Sequence, residues 1–420
     1  MNTKAVRLYG KNDLRLEEFE LPAITDEEVL VRVVSNSICM SSHKAALQGT
    51  DHKRVPKDVA EHPVIIGHEF CGEIVQVGAK WQNQFRSGEK FTVQPALNYK
   101  GSLASPGYSY RYCGGNATYC ILPHEVMELG CLLPYNGDAF FYGSLSEPVS
   151  CIVGAFHAAY HTKPCCYVHE MGIREGGVMG IFAGAGPMGV GAIDYALGCA
   201  CRPAMIVVTD VDDARLHRAE QILSPAYAAQ KGVRLVYVNT GRLEDPEAYL
   251  RELSGGAGFD DIFVYAPVSS VIELADRLLA RDGCLNFFAG PNDKRFSASL
   301  NFYNVHYTST HIVGTTGGST DDMREALSMM EEGRINPAAM VTHIGGLNAV
   351  ADTIVRLDKI PGGKKLIYTG KRLPLSAIDD FGCLGESDPF FAALHEICSR
   401  HNGLWCAEAE RYLLEHAPNI

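Results

Sequence analysis

Val178-Met-Gly-Ile-Phe-Ala183, followed at once by Gly184-Ala-Gly186-Pro187-Met188-Gly189, decides the fold of this chain. The first six residues read as an apolar strand of the kind buried in a parallel sheet. The next six are a Gly-x-Gly-x-x-Gly loop, and Val190 to Gly198 continue as a small-residue helix. A glycine loop between strand and helix is a cradle for a pyrophosphate. Gly184 allows the tight turn, Gly186 lets the backbone approach the phosphates, and Gly189 lets helix and strand pack closely. Pro187 and Met188 complete the loop, and the helix N-terminus turns its unpaired N–H groups toward the anion. The next strand, Ile206 to Asp210, ends in a carboxylate 21 residues after Gly189. An acid there accepts hydrogen bonds from ribose hydroxyls and repels an added phosphate, which favours NAD(H) over NADP(H). Arg215, five residues on, could lie against the adenosine end and rescue some NADP(H) binding.

Outward from this loop, strands at 233–239, 259–266 and 283–290 alternate with helices near 247–254 and 270–281. That alternation predicts a doubly wound parallel sheet, a Rossmann domain. His311-Ile-Val-Gly-Thr315 reads as a sixth strand. Ser319-Thr-Asp-Asp322 is a capping box that opens a helix to about Glu332. Upstream, Glu28–Val34, Val64–Ile66, Glu73–Gly78 and Lys90–Gln94 are short strands without intervening helices, which predicts a mainly β, partly open barrel. Residues 336–370 return to strand and loop character and read as the chain going back to the first domain. Beyond Pro374, helices near 389–401 and 407–416 carry apolar faces that dock on the body or on a second subunit. The expected division is 1–150 with 311–373 in one domain, 151–310 in the cofactor domain, and 374–420 as a helical extension.

The bulk numbers fit this α/β reading. A chain of 420 residues is too long for one ordinary core, and 46% hydrophobic content with 42 glycines suits a globular enzyme. A formal charge of -12 disfavours nucleic acid as a partner, because phosphate contacts need a basic surface. The fourteen cysteines are scattered without a CxxC pair. With no signal-peptide pattern and no apolar run long enough to span a bilayer, they read as small buried side chains in a reducing cytoplasm, with no membrane partner. Cys39 is the exception.

A catalytic zinc takes three protein ligands and keeps one position open. Cys39, His68 and Glu147 offer a thiolate, an imidazole and a carboxylate, all ahead of the cofactor fold. Together with Ser37-Ile-Cys39-Met-Ser41-Ser42, Gly67-His-Glu69, Glu147-Pro148, the 184–189 loop with Asp210, and Gly362-Gly-Lys-Lys-Leu-Ile-Tyr-Thr-Gly370, they make the chain resemble the medium-chain dehydrogenase/reductase superfamily. That group holds the zinc alcohol and polyol dehydrogenases, and the resemblance covers residues 1 to about 370. It implies a GroES-like first domain and a zinc ion on Cys39, His68 and Glu147. It also implies Glu69 as a carboxylate beside the metal that swaps with another ligand, and Ser41 as the hydroxyl bonding the substrate oxygen. The family's relay histidine is displaced here: Ser42 is followed by His43 and Lys44. The stretch from Asn98 to Cys120 offers only Cys113 and Cys120, so a second, structural zinc is expected to be absent.

Within the superfamily, Gly107-Tyr-Ser-Tyr-Arg-Tyr-Cys-Gly-Gly-Asn116, Gly314-Thr-Thr-Gly-Gly-Ser-Thr320 and the long tail look most like the L-sorbose 1-phosphate reductases and their sugar-phosphate relatives. This implies hydride transfer to a ketose, L-sorbose 1-phosphate becoming D-glucitol 6-phosphate, in a homo-oligomer (dimer or tetramer). The alternatives are a sorbitol-like polyol or other secondary-alcohol dehydrogenase on an unphosphorylated substrate, a zinc-free quinone-type reductase, and a non-catalytic cofactor-binding protein. Arg111, Lys294, Arg295 and the 314–320 segment are the cationic or N–H-rich positions weighed for a phosphate.

Overall fold

The computed structural model describes residues 1–163 and 166–420. Val29–Ile38 is the central strand of an eight-stranded sheet. Its period of two is legible in the burial. Val29, Val31 and Val33 enter a core with Phe70, Ile74, Phe91 and Leu122, whereas Leu30 packs with Leu21 and Ile121. Glu69–Val77 pairs along one edge of this strand, with Ser37 opposite Glu69. Lys364–Tyr368 pairs along the other, with Lys365 opposite Ile38. Both pairings are antiparallel, so three strand ends converge where Cys39, His68 and Lys364 leave the sheet. A smaller sheet is formed by Asp13–Glu20, Asn2–Gly10 and Val64–Ile65.

This first unit comprises Met1–Pro148 and Val341–Ile420. The 374–420 segment is therefore part of it and not a separate extension. Ser376–Ala377 adds a strand beside Val341–Gly346. Trp405 and Leu413 are buried, and Trp405 Nε1 donates to Tyr368 Oη at 2.7 Å. The buried Glu410 accepts hydrogen bonds from the N–H groups of Phe140 and Phe141, at 2.5 and 2.9 Å. Those N–H groups open the helix Phe140–Ala158, which the sequence reading did not anticipate and within which the division between units falls. Their carbonyl partners are missing by construction at a helix start, and Glu410 supplies the acceptor.

Val149–Met340 is the second unit. Its main sheet has six strands, all parallel, in the order Arg234–Asn239, Met205–Asp210, Val178–Phe182, Phe259–Val264, Leu279–Phe287, His311–Gly314; Tyr160–Thr162 and His169–Met171 form a separate antiparallel pair. Strand order reverses beside Val178–Phe182, the topological switch point at which such sheets bind ligands. The return to the first unit comes at Val341, not at 311. His311–Gly314 pairs with Leu279–Phe287 as the sheet's edge strand, and the capping box of Ser319 and Asp322 opens Thr320–Glu331 within the same unit.

Candidate active site

Two glycines set the geometry around His68. Gly67 has φ +104°, and a Cβ there would meet Asn116 Nδ2 at 2.6 Å. Gly107 has φ +76°, and its Cβ would meet the Gly67 carbonyl oxygen at 2.1 Å. Without side chains the two backbones close on each other, joined by Gly67 N–H to Gly107 O at 3.2 Å. That contact lays the Tyr108 ring against the His68 ring, centroids 4.8 Å apart.

Cys39 stands at the N-cap of the helix Met40–Gln48, in extended conformation, so Ser41 and Ser42 fall in the first turn beside it. Ser41 Oγ donates to Cys39 Sγ at 3.0 Å and accepts from Tyr108 Oη at 2.8 Å. Both hydroxyls lie 3.3 Å from His68 Nε2, while Ser42 Oγ is 3.4 Å from Nδ1. His43 is buried and turned away: its Nδ1 bonds the Ile354 carbonyl oxygen at 2.7 Å. Cys39 Sγ, a ring nitrogen of His68 and a carboxylate oxygen of Glu69 all lie within 4.8 Å of one another. The structure thus unites Cys39 and His68 as expected, but the third member of the compact set is Glu69. Glu147 is buried nearby, close enough to act electrostatically on His68, and stands outside that set.

Lys364 Nζ contacts Glu69 Oε1 at 2.5 Å in a fully enclosed pair. Burial opposes the ammonium charge, yet Glu69 and Cys39 hold Lys364 above its ordinary value. Burial pushes the Cys39 thiol up, with Lys364 and the Ser41 hydrogen bond opposing. Burial likewise lowers His68 and lifts Glu147 to about 7. Burial sets the directions for Cys39, His68 and Glu147 in this low-dielectric pocket; a divalent cation bound there would oppose those of Cys39 and Glu147, holding thiolate and carboxylate ionised, and would keep His68 neutral. The donor set fits zinc: thiol, imidazole and carboxylate converge, and Glu69 Oε2 is buried with no hydrogen-bond partner among the described residues. Cys113 and Cys120 belong to the apolar core.

In the second unit the glycine loop behaves as its spacing predicts. A Cβ on Gly184 would strike Ile181 Cγ2 at 2.4 Å, and one on Gly189 the Gly184 oxygen at 2.1 Å, while one on Gly186 would meet no protein atom within 4 Å. Gly186 caps the helix Pro187–Gly198, with Pro187 at its first position. The open space at Gly186 and the free helix N-terminus fit a pyrophosphate. Asp210 is buried, accepting from Ala185 N at 3.1 Å and from Val211 and Asp212 N at 2.8 and 3.2 Å. It ties the loop to the strand end. Arg215 is exposed and faces Asp212 at 3.6 Å.

Two family models match. The alcohol dehydrogenase GroES-like domain covers residues 25–134, and the zinc-binding dehydrogenase covers 187–332. L-sorbose 1-phosphate reductase of Klebsiella pneumoniae is 51% identical over 418 residues, 100% of this chain and 98% of that protein. Mannitol-1-phosphate 5-dehydrogenase of Aliivibrio fischeri is 53% identical over 98% of this chain and 97% of that protein. The chain belongs to the medium-chain dehydrogenase/reductase superfamily. Within it, the chain is an oxidoreductase of the zinc-dependent alcohol and polyol dehydrogenase family. The crystal structure of 2R,3R-butanediol dehydrogenase from Bacillus subtilis shares the fold, with a TM-score of 0.71 at 22% identity over 87% of this chain and 99% of that one. No helix among the described residues is long and apolar enough to cross a membrane.

Two residues at the site had no role in the sequence. Tyr108 and Lys364 both stand inside quoted segments, Gly107–Asn116 and Gly362–Gly370, without a role. The signal was there: a glycine before Tyr108 to match the glycine before His68, and a lysine at a strand start opposite the Cys39 strand.

Proposed function

We propose that this chain is a zinc-dependent, NAD(H)-using ketose-phosphate reductase that converts L-sorbose 1-phosphate to D-glucitol 6-phosphate. The observation that carries the reading is the joining of Ser41 and Tyr108 by a hydrogen bond beside the Cys39–His68–Glu69 set. In this reading Cys39, His68 and Glu69 hold the ion, and Glu147 is the carboxylate that exchanges with Glu69. Bound there, zinc supplies a Lewis acid for the substrate oxygen. NADH, held by Gly184, Gly186, Pro187, Met188 and Gly189, supplies the hydride. Ser41 hydrogen-bonds the substrate oxygen and hands over its proton, drawing on Tyr108 Oη, which already donates to it. Lys364 pairs with Glu69 Oε1 and so fixes the carboxylate with Oε2 left for the ion. His43 takes no part, since its ring is committed to Ile354.

Asp210 supports NAD(H) over NADP(H): a negative charge fixed by three backbone N–H groups opposes a 2′-phosphate. A second copy is a fitting partner at the edge strand His311–Gly314, where Ile312 and the neighbouring Phe302, Tyr303 and Tyr307 are exposed apolar side chains.

The 53% relative favours a second reading, a hexitol phosphate whose phosphate is remote from the reacting carbon. A spectrophotometric NAD(P)H screen over hexitol phosphates, ketose phosphates and their free sugars, with zinc quantified in the same sample, tests both. Turnover of L-sorbose 1-phosphate with about one zinc per chain is expected. Full activity in metal-free protein would sink the zinc assignment.

A further inference from the structure

Two of the candidate cations have local partners of their own. Arg111 is exposed and lies over the Tyr112 ring, 5.5 Å from its centroid, and Arg295 is exposed and spent on Asp293 at 3.0 Å. A further arginine stands beside the Ser41–Tyr108 pair. Arg54 is half-buried, with its guanidinium carbon 5.5 Å from the centroid of the Tyr108 ring. The same ring carries the hydroxyl bonded to Ser41. The guanidinium and the proton-donating hydroxyls are therefore separated by little more than one aromatic ring.

The arginine is built into its place. Its N–H donates to His52 Nδ1 at 3.3 Å, its carbonyl oxygen accepts from Ser109 Oγ at 2.7 Å, and its Nη1 donates to Ser105 Oγ at 3.1 Å. The His52 ring stacks on Tyr108 at 5.6 Å and 11°. Yet Arg54 forms no ion pair among the described residues, whereas Arg7, Arg32 and Arg174 each hold an acid. Around it the field is positive. Burial first, and then Arg54, Lys53 and Lys44, push His52 down to about 4. Lys44 is half-buried, three residues past Ser41 on the same helix. In a chain of net charge -12, Arg54 keeps its guanidinium clear of any carboxylate among the described residues while standing against the ring that bonds Ser41. It has the fork of donors that matches a phosphate.

We propose that Arg54, with Lys44 beside it, binds the substrate phosphate, and that the distance across Tyr108 selects ketoses carrying it on the carbon next to the reacting carbonyl. This rests on the ketose-phosphate reading and narrows it. In a 1-phosphoketose one methylene carbon separates the carbonyl from the phosphate ester, so a cation one ring away from Ser41 reaches it. A phosphate at the far end of the sugar lies several carbons beyond.

The test compares L-sorbose 1-phosphate, L-sorbose 6-phosphate and L-sorbose on the zinc-loaded enzyme and on Arg54→Gln and Arg54→Lys. Zinc content and circular dichroism are followed on each protein. Wild type should prefer the 1-phosphate to both others. In Arg54→Gln the ratio of kcat/KM for the 1-phosphate to that for L-sorbose should fall about a hundredfold, chiefly through KM, as loss of a charged hydrogen-bonding partner predicts. Arg54→Lys should recover part of it. Direct titration with D-glucitol 6-phosphate should show the same loss of affinity. A ratio unchanged in both variants overturns the assignment of Arg54 while leaving the ketose-phosphate reading standing. Preference for the 6-phosphate overturns the placement next to the carbonyl. A wild type indifferent to phosphate overturns the ketose-phosphate reading itself, and this inference with it.

Discussion

Lys364 and Glu69 are a buried pair in which neither member can be removed cheaply. Taking away the lysine leaves a carboxylate enclosed without its cation, a change that costs about 3–5 kcal/mol when a buried pair is broken. Lys364→Met should lower the stability of the metal-free protein by that order in urea unfolding. The double variant Lys364→Met/Glu69→Gln should recover most of it, because the uncompensated charge is then gone. The proposed ligands behave differently. Cys39→Ala and His68→Ala should abolish zinc retention and turnover while NADH binding, followed by fluorescence, persists. Cys39 and His68 were readable because Cys39-Met-Ser41 and the Gly67-His68-Glu69 turn stand in the order that the family resemblance implies. The choice between Glu69 and Glu147 was not, since it depends on a strand register that puts Glu69 opposite Ser37. No local pattern around Glu69 encodes a partner nearly three hundred residues away.

At the scale of elements, the glycine loop separates two kinds of glycine. A side chain on Gly186 meets open space, while one on Gly189 drives into the Gly184 carbonyl. Gly186→Ala should therefore fold with an unchanged melting temperature but bind NADH at least about tenfold more weakly, since the methyl occupies ground meant for the pyrophosphate. Gly189→Ala should lower the melting temperature itself by prying helix from strand. Equal melting temperatures for the two variants would contradict this division. The parallel strands and the loop were legible because burial on both faces leaves unbroken apolar runs. The helix Phe140–Ala158 was not. Pro148 within it reads as a breaker, and its first turn is satisfied by Glu410 from the distant tail instead of by a neighbouring cap.

At the scale of the whole molecule, the tail is a structural member of the first unit. Glu410 shows how tightly it is held. Burial lifts its carboxyl to about 7 from an ordinary 4.5, against the donors from Tyr368, Phe140 and Phe141. An acid held above its ordinary value keeps a proton in the folded chain that it loses in the unfolded one. Its contribution is therefore complete below 4.5 and is lost as pH rises through about 7, a difference of ~3 kcal/mol. Urea midpoints of the metal-free protein should fall across that window by more in wild type than in Glu410→Gln, whose amide does not titrate. The apolar faces of the tail helices announced that they dock. That they dock on their own unit through a buried acid follows from contacts distant in sequence.

The division of the chain also orders its biosynthesis. The second unit is one continuous stretch, so all its strands have left the ribosome before Lys364 is made. The first unit is split around it. Cys39, His68 and Glu69 emerge early, but the strand that carries the balancing lysine arrives only after the cofactor unit is complete. On the zinc reading proposed above, the nascent chain carries an unfinished metal pocket through most of translation, and the pocket closes late, after the Rossmann half can already fold.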